Sequence, residues 1–437
     1  MAGQSTTLQI SGQRFLMRRT AHALVRADVD FVDDPLRAQS LSIIAGCLLT
    51  AVVVAVCAVL AFLRPSGRLG DAPIVMVRET GAMYVRIGGT VHPALNLASA
   101  RLVTGSTDAP RLVSRSAADE AHRGAMLGIP GAPNSLAHPL TADESGWTVC
   151  EDATSTTVIA GQRSVPSEVR RNVLAVARGE SAASTYLLFN GNRAKVDLRN
   201  PVVVRALELE GVTPVPVSRA LLDSLPEAPE ISAVRVPDAG SVGPARLHGF
   251  PVGTVIRVPR ADSSQLFVVL TDGVQRIGTV AADLIRFTQS HGMREIADVE
   301  PEAVGAVPVV ARLPVAGYPD RGGVSDDPVV CAHWQWSHES GSASSAVFTA
   351  DALPADGAVT LTQADAEGPH IDAVDLPDGR GGYVRATGVS GDGAGNGPLY
   401  FVSEAGAVFG IRDEEAAKRL GLAAPVPAPW PVLARLP

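Results

Sequence analysis

Residues 41–63, LSIIAGCLLTAVVVAVCAVLAFL, hold no charge and are bracketed by Arg37 and Arg64, and this run constrains the chain more than any other feature. At 1.5 Å rise per residue its 23 residues reach roughly 34 Å as a helix, enough to cross a bilayer core of about 30 Å with modest tilt. No other window of 18 residues is free of charge at comparable hydrophobicity, so the sequence predicts a protein that crosses a membrane once. A cleaved signal peptide is not expected, because the run starts after 40 residues that themselves look structured. Gly46 and Cys47 resemble a lipoprotein cleavage box, but the apolar run lies mostly after Cys47, so they read as small packing residues of a helix.

The remaining length, about 370 residues, is enough for two or three domains with a sizeable core. Through Leu63 there are five arginines (Arg14, Arg18, Arg19, Arg26, Arg37) against four aspartates (Asp28, Asp30, Asp33, Asp34), a tail of +1. The whole chain is -8, so the part beyond the span carries -9. An acidic soluble part argues against a nucleic-acid partner, which requires a basic footprint. Arg26 and Arg37 before the span do not outnumber Arg64, Arg68 and Arg78 after it, so flanking charge does not orient the helix. Cys47 and Cys57 lie in the span, leaving Cys150 and Cys331 beyond it. That even number fits one bridge in an oxidising compartment, or two separately buried thiols, and the first reading favours an N-terminus inside with the large part exported.

Residues 11–27, SGQRFLMRRTAHALVRA, predict a helix with Ser11 as N-cap. At 100° per residue Leu16, Met17, Thr20, Ala21, Ala23, Leu24 and Ala27 share one arc, and Arg18, Arg19, His22 and Arg26 share another. The basic arc is a candidate docking face, for a cytosolic protein or for anionic headgroups. Asp33, Asp34 and Pro35 predict a turn that ends this helix before the span, and residues 64–67 an exit linker.

Beyond the span one pattern recurs four times, at 82–105, 184–211, 265–292 and 398–421. Each copy has an aromatic-led β-run (Tyr84, Tyr186, Phe267, Tyr400), a turn glycine (Gly89, Gly191, Gly273, Gly406), a second run and a helical segment rich in Ala, Leu and Arg. The aromatics are spaced too irregularly for a solenoid in which each unit stacks on the next. The Pro-, Gly- and Ala-rich inserts, with apolar runs such as 306–315 and 346–349 and with Trp147, Trp334 and Trp336, are assigned to a β-rich central domain. The expected fold class is α+β: a single-pass membrane protein with four β-hairpin/helix repeat domains around that central domain. The expected limits are a tail at 1–40, the span at 41–63, repeats at 64–105, 184–226, 265–292 and 398–424, central or linker segments at 106–183, 227–264 and 293–397, and a Pro-rich tail at 425–437.

No enzyme mechanism can be built from these residues. Lys195 and Lys418 are the only lysines and both follow Ala, so there is no Gly-Lys-Ser/Thr loop to hold phosphates; neither Gly-x-Ser-x-Gly nor His-Glu-x-x-His occurs. His333 and His338 beside Cys331 fit no standard metal spacing, His92 reads as ordering the first repeat's turn, and Gly391, Gly393, Gly395 and Gly397 read as a mobile loop. No cofactor, metal or catalytic residue is expected.

The tail phrase LQISGQRFLMRRTAHALVRADVDFVDDPLR, the span and the phrase VHPALNLASARLVTG together resemble the EccB family, a core membrane component of actinobacterial type VII (ESX) secretion systems. GIPGAP at 128–133, GWTVC at 146–150, FTQSHG at 287–292 and residues 428–430 agree in order, so the resemblance covers about 8–435. It implies a short cytosolic N-terminus, one span, and a periplasmic part of four repeats around a central domain, stapled by a disulfide that maps onto Cys150 and Cys331. It also implies homo-oligomeric assembly with EccC, EccD and EccE, and contact with the mycosin protease. The family is sometimes described as an ATPase; ATP with Mg enters only under that reading, which the missing phosphate loop opposes, and an exported cell-wall binding module is the other alternative. EccB chains often continue further past the fourth repeat than Pro437 here, so a C-terminal contact of the family is expected to be missing.

Overall fold

The computed structural model describes residues 7–26, 35–63, 69–161, 172–179, 184–244, 246–260, 263–289, 295–366 and 368–437. They form two compact bodies, Met1–Gly81 with Arg111–Ala121, and Ala82–Pro110 with His122–Pro437. The chain opens with helices α1 (Thr7–Arg26) and α2 (Pro35–Leu63) and strand β1 (Ile74–Val77). Then come β2 (Met83–Ile87), β3 (Thr90–Ala94), α3 (Leu97–Thr104), β4 (Arg111–Val113) and α4 (Arg115–Asp119). The first body holds α1, α2, α4 and the parallel pair β1 with β4.

Helix α2 begins at Pro35, six residues before the expected span, because proline lacks the N–H that a first helical turn leaves unpaired anyway. The turn expected at Asp33 and Asp34 and the linker at 64–67 lie outside the described residues. Among the described residues one helical stretch, Ser40–Leu60, is long and apolar enough to cross a membrane, with mean hydropathy 2.9. Helix α1 starts at Thr7, which places Ser11 in its interior and corrects the expected N-cap.

The second body continues with β5 (His138–Pro139), β6 (Trp147–Glu151), β7 (Thr156–Ala160), β8 (Val173–Ala177), β9 (Thr185–Phe189), β10 (Asn192–Val196) and α5 (Pro201–Ala206). Next are β11 (Val215–Val217), α6 (Arg219–Asp223), β12 (Glu227–Ile231), β13 (Val255–Pro259), β14 (Ser264–Leu270), β15 (Gly273–Ile277), α7 (Thr279–Thr288), β16 (Ala297–Asp298) and α8 (Pro301–Gly305). The chain ends with β17 (Val329–Ser337), β18 (Ser342–Ala350), β19 (Val359–Thr360), β20 (Ala373–Asp375), β21 (Arg380–Thr387), β22 (Leu399–Val402), β23 (Val408–Ile411), α9 (Glu414–Leu420), β24 (Val426–Pro429) and α10 (Trp430–Leu433).

Three sheets share one strand order: β10-β9-β8-β11 (with β12 added on β10), β15-β14-β13-β16 and β23-β22-β21-β24. In each, an antiparallel hairpin pairs with the strand before it, which pairs in parallel with a strand after the helix. The hairpin-then-helix order also occurs as β2, β3, α3. The expected segment limits therefore cut through sheets. Strands β8, β13 and β21 lie in stretches expected to be central or linker, and β24 lies in the expected Pro-rich tail. β8, β13 and β21 each pair with the first strand of a hairpin and satisfy backbone groups that its edge would otherwise leave unpaired, and β24 does the same for β21. Far from being a loose tail, 426–436 supplies Val426, Ala428, Val432, Leu433 and Leu436 to the largest core.

A six-stranded sheet, β18-β17-β6-β7-β20-β19, is assembled from three separate stretches of chain. One of its faces, carrying Trp147, Val149 and Trp334, packs with Ala175, Leu188, Val384 and Val402 from two neighbouring sheets and with Ala220 of α6. The run 306–315 does not join it: Val274 N donates to Pro308 O (2.9 Å) and Val310 N to Val274 O (2.8 Å), placing this run beside β15. The sheets built on β8–β12 and β13–β16 share a core in which α5 meets α7, with the Arg205 guanidinium 4.7 Å from the Phe287 ring centre. Helices α3 and α9 meet with reciprocal donors, Arg101 Nη1 to Leu420 O (2.7 Å) and Arg419 Nη1 to Leu102 O (3.4 Å).

The turn between β9 and β10 is Asn190-Gly191, with φ of 46° and 76°, the left-handed pair that suits a two-residue hairpin. A Cβ on Gly191 would lie 2.0 Å from Ser345 O, so glycine also permits this turn to press on β18.

Candidate functional site

The face of the six-stranded sheet away from the main core carries the two cysteines. β6 and β17 run antiparallel with Cys150 opposite Cys331, Thr148 opposite His333 and Trp147 opposite Trp334. Alternation puts the cysteines, Thr148 and His333 on one face and the tryptophans on the other. Cys150 and Cys331 are joined in a disulfide that closes a loop of 181 residues, with their Cα atoms 4.1 Å apart. Both are fully buried, beneath Ile159, Val329, Phe348 and Leu353.

His333 is 4% exposed; its Nδ1 is hydrogen-bonded to Thr148 Oγ1 (2.8 Å) and its Nε2 has no partner. Burial pushes its pKa down from 6.5 to about 4, against a smaller upward pull from Gln335. The fold therefore holds a neutral imidazole whose unfolded counterpart takes a proton near pH 6.5. Its contribution is complete above that pH and is lost as pH falls towards 4, roughly 3 kcal/mol over the window. His333→Gln is expected to flatten the dependence of the urea midpoint on pH between 6.5 and 4; an unchanged slope would contradict this.

Sequence reasoning missed a buried ion pair next to the bridge. Glu151, 2% exposed, follows Cys150 and pairs with Arg178. Its Oε2 also accepts from Ser218 N (3.1 Å) and Thr156 Oγ1 (3.1 Å). Arg178 donates to Ala366 O (3.2 Å) and Asp152 O (3.5 Å). Burial pushes the Glu151 carboxyl upward while Arg178 and the Ser218 and Thr156 donors pull it down. One carboxylate thus ties the β6–β7 hairpin to the end of β8 and to the N-cap of α6. A glutamate closing an apolar strand was the only signal, and no spacing rule points from residue 151 to residue 178.

Arg18, Arg19 and His22 are exposed along α1, and Arg26 is its last residue. Leu16, Met17, Leu24 and Val25 on the same helix are also exposed. His92 does not order its own turn as expected: its Nδ1 is hydrogen-bonded to Ala125 O (2.9 Å), fastening a later segment against β3. The glycine loop after β21 is held at its base by Trp334 Nε1 to Val389 O (2.9 Å) and Thr387 Oγ1 to Asp392 O (2.8 Å). Among the described residues no group of three or more His, Cys, Asp or Glu is placed to hold a metal ion.

Residues 2–437 match the profile of a family described as "Type VII secretion system ESX-1, transport TM domain B", EccB. The chain belongs to the EccB family. It is 35% identical to the "ESX-3 secretion system ATPase EccB3" of Mycolicibacterium smegmatis, covering 99% of this chain and 88% of that protein. It is 35% identical to the "ESX-5 secretion system ATPase EccB5" of Mycobacterium tuberculosis, covering 100% of this chain and 91% of that protein. Among solved structures it is similar to a chain of an intact ESX-5 inner membrane complex (TM-score 0.69, 33% identity, 100% of this chain and 93% of that chain). It is equally similar to the EccB3 dimer from the ESX-3 core complex (TM-score 0.69, 32% identity, 84% and 96%). The EccB likeness extends over the sheets, so the late strands β21 and β24 belong to the family fold.

Proposed function

We propose that this EccB-family chain is an architectural subunit of a type VII secretion inner-membrane complex. The observation that carries this is the likeness, along the whole chain, to a subunit solved inside an ESX-5 inner membrane complex. In this reading α2 anchors the subunit, the N-terminus is cytosolic, and the second body stands on the periplasmic side. The buried disulfide supports that direction, since such bridges persist in oxidising compartments. Four hairpin–helix repeats surround the six-stranded sheet, braced by the reciprocal hydrogen bonds of α3 with α9 and by the packing of α5 on α7. Copies of the chain assemble with one another and with EccC, EccD and EccE, and meet the mycosin protease. The face of Arg18, Arg19, His22 and Arg26 is the cytosolic docking surface.

Tagged chain drawn from native membranes in mild detergent is expected to bring EccC, EccD and EccE with it; a lone monomer in every mild detergent would contradict the reading. The variant Arg18→Glu, Arg19→Glu, Arg26→Glu is expected to lose part of that set while staying in the membrane.

The relatives' names favour a second reading, an ATP hydrolase. Against it, the sequence has no Gly-Lys-Ser/Thr loop, and the cores and ion pairs above are arranged for packing. Purified full-length chain is expected to release no phosphate from ATP with Mg; release that scales with protein and survives a further column would establish the second reading.

A further inference from the structure

The outer strands of the hairpins β2–β3, β9–β10 and β14–β15 are each closed by a later stretch of chain, and in the same way. Near the start of the strand one backbone N–H donates outward to a carbonyl: Val91 N to His122 O (2.8 Å), Arg193 N to Pro226 O (3.0 Å) and Val274 N to Pro308 O (2.9 Å). The residue after that carbonyl pairs in parallel with the strand, Arg123 with Val91, Glu227 with Arg193 and Val309 with Val274. The ladder then continues with donors returning to the strand, such as Gly124 N to Val91 O (3.0 Å) and Val310 N to Val274 O (2.8 Å).

The outer strand β23 begins the same closure, with Val408 N donating to Pro437 O (2.7 Å). On its other side β23 pairs with β22, Val408 opposite Val402 and Gly410 opposite Tyr400. Backbone groups along an antiparallel strand point alternately at the partner and away from it, so the N–H and C=O of Gly410 face outward together with Val408 O. Among the described residues no donor or acceptor meets these three groups, and Gly410 is exposed. Open backbone groups in a row on a sheet edge are a template for a further strand.

The neighbouring side chains define what that strand carries. A Cβ on Gly410 would lie 4.0 Å from Tyr400 Cε1 and meet nothing nearer, so the glycine leaves the sheet bare beside the tyrosine ring. That ring stacks on Trp430, which is 45% exposed, with ring centres 5.6 Å apart. Paired residues of adjacent strands put their side chains on one face, so a residue opposite Gly410 would lay its side chain against Tyr400. Arg412 and Asp413, the charges at the end of the strand, pair with each other (3.6 Å), which leaves neither sign of charge favoured.

We infer that the open edge of β23 receives an extended, uncharged segment of a partner polypeptide, running parallel to β23 from the position next to Pro437 and setting an aliphatic side chain over Gly410. Main-chain hydrogen bonds to Val408 O and Gly410 hold the segment, and the Tyr400 ring selects the side chain. This strand-acceptor site is independent of the secretion reading.

The test uses full-length chain in detergent and a fluorescein-labelled peptide, acetyl-Val-Thr-Leu-Thr-Val, whose leucine falls opposite Gly410 when its first valine falls opposite Val408. The peptide is expected to raise the fluorescence anisotropy and to slow amide exchange in residues 408–412. Gly410→Pro removes an outward N–H that the sheet itself does not use, and is expected to weaken binding roughly five-fold with the urea midpoint unchanged. Moving the leucine to the second position, acetyl-Val-Leu-Thr-Thr-Val, turns it to the other face and is expected to weaken binding to a similar degree. Chain extended past Pro437 by Val-Val-Ala-Arg-Leu, the sequence that follows Pro308 beside β15, fills its own edge and is expected to bind no peptide. The last two comparisons leave β23 unaltered and decide the case if Gly410→Pro unfolds. A parent chain that binds no peptide would overturn the inference, as would binding that survives the extension or is indifferent to the position of the leucine.

Discussion

Replacing Cys150 and Cys331 together by alanine is expected to lower the unfolding free energy of the second body by about 5 kcal/mol, the chain-entropy value for a closed loop of 181 residues. The bridge joins directly opposed residues of β6 and β17, strands that come from distant parts of the chain, so without it the unfolded ensemble gains the freedom of everything between. All four tryptophans lie in the second body, three of them on or beside this sheet, so their fluorescence during urea titration of the detergent-solubilised chain reads the loss. The midpoint should fall in the double variant, and fall equally when the parent is fully reduced. A midpoint that does not move would mean that the six-stranded sheet is held independently of the bridge.

Glu151→Gln is expected to cost about 3–5 kcal/mol, the usual penalty for leaving one member of a buried ion pair unmatched. Arg178 would keep its two carbonyl acceptors but lose its carboxylate at a site only 10% exposed. Replacing both partners, Glu151→Leu with Arg178→Met, removes the stranded charge and is expected to recover much of that loss, because a well-packed apolar pair of similar volume often matches a buried ion pair. The urea midpoints of Glu151→Leu, Arg178→Met and the double variant, set against the parent, close the cycle. A double variant no more stable than Glu151→Gln would show that the polar junction with Ser218 and Thr156, and not the charge balance, is what the fold requires.

These residues also mark where the sequence was readable. The hairpin and helix of each repeating phrase were visible because an aromatic-led run, a turn glycine and an Ala/Leu/Arg segment follow one another within about 25 residues, where local pattern decides structure. The strands β8, β13, β21 and β24 were not. β8 is apolar throughout with no alternation, β13 and β21 are interrupted by Arg257, Arg380 and Arg385, and the identity of all four as strands comes from tertiary pairing: β8 with β9 and β11, β13 with β14 and β16, and β21 with β22 and β24. β24 was hidden further by Pro427 and Pro429, which read as tail, yet an edge strand tolerates proline because its outer N–H is not needed. The cysteines were legible as a possible pair from composition alone, and the resemblance pointed to their connection. The Glu151–Arg178 pair left no pattern, since a tertiary contact between a strand end and a distant loop has no period. For the basic face of α1 the helix was legible, while its start was misplaced because Ser11, a good cap residue, stands one turn inside.

The central claim is that this chain is a structural subunit of a secretion complex, anchored by α2 with its large body outside the cytosol. Imaging the intact detergent-extracted complex at side-chain resolution tests it most directly. The expected result is several copies of the chain within a larger membrane assembly, α1 on the cytosolic side and the disulfide-bonded sheet on the other. A particle containing only single copies of the chain, or one with the six-stranded sheet on the cytosolic side, would contradict it.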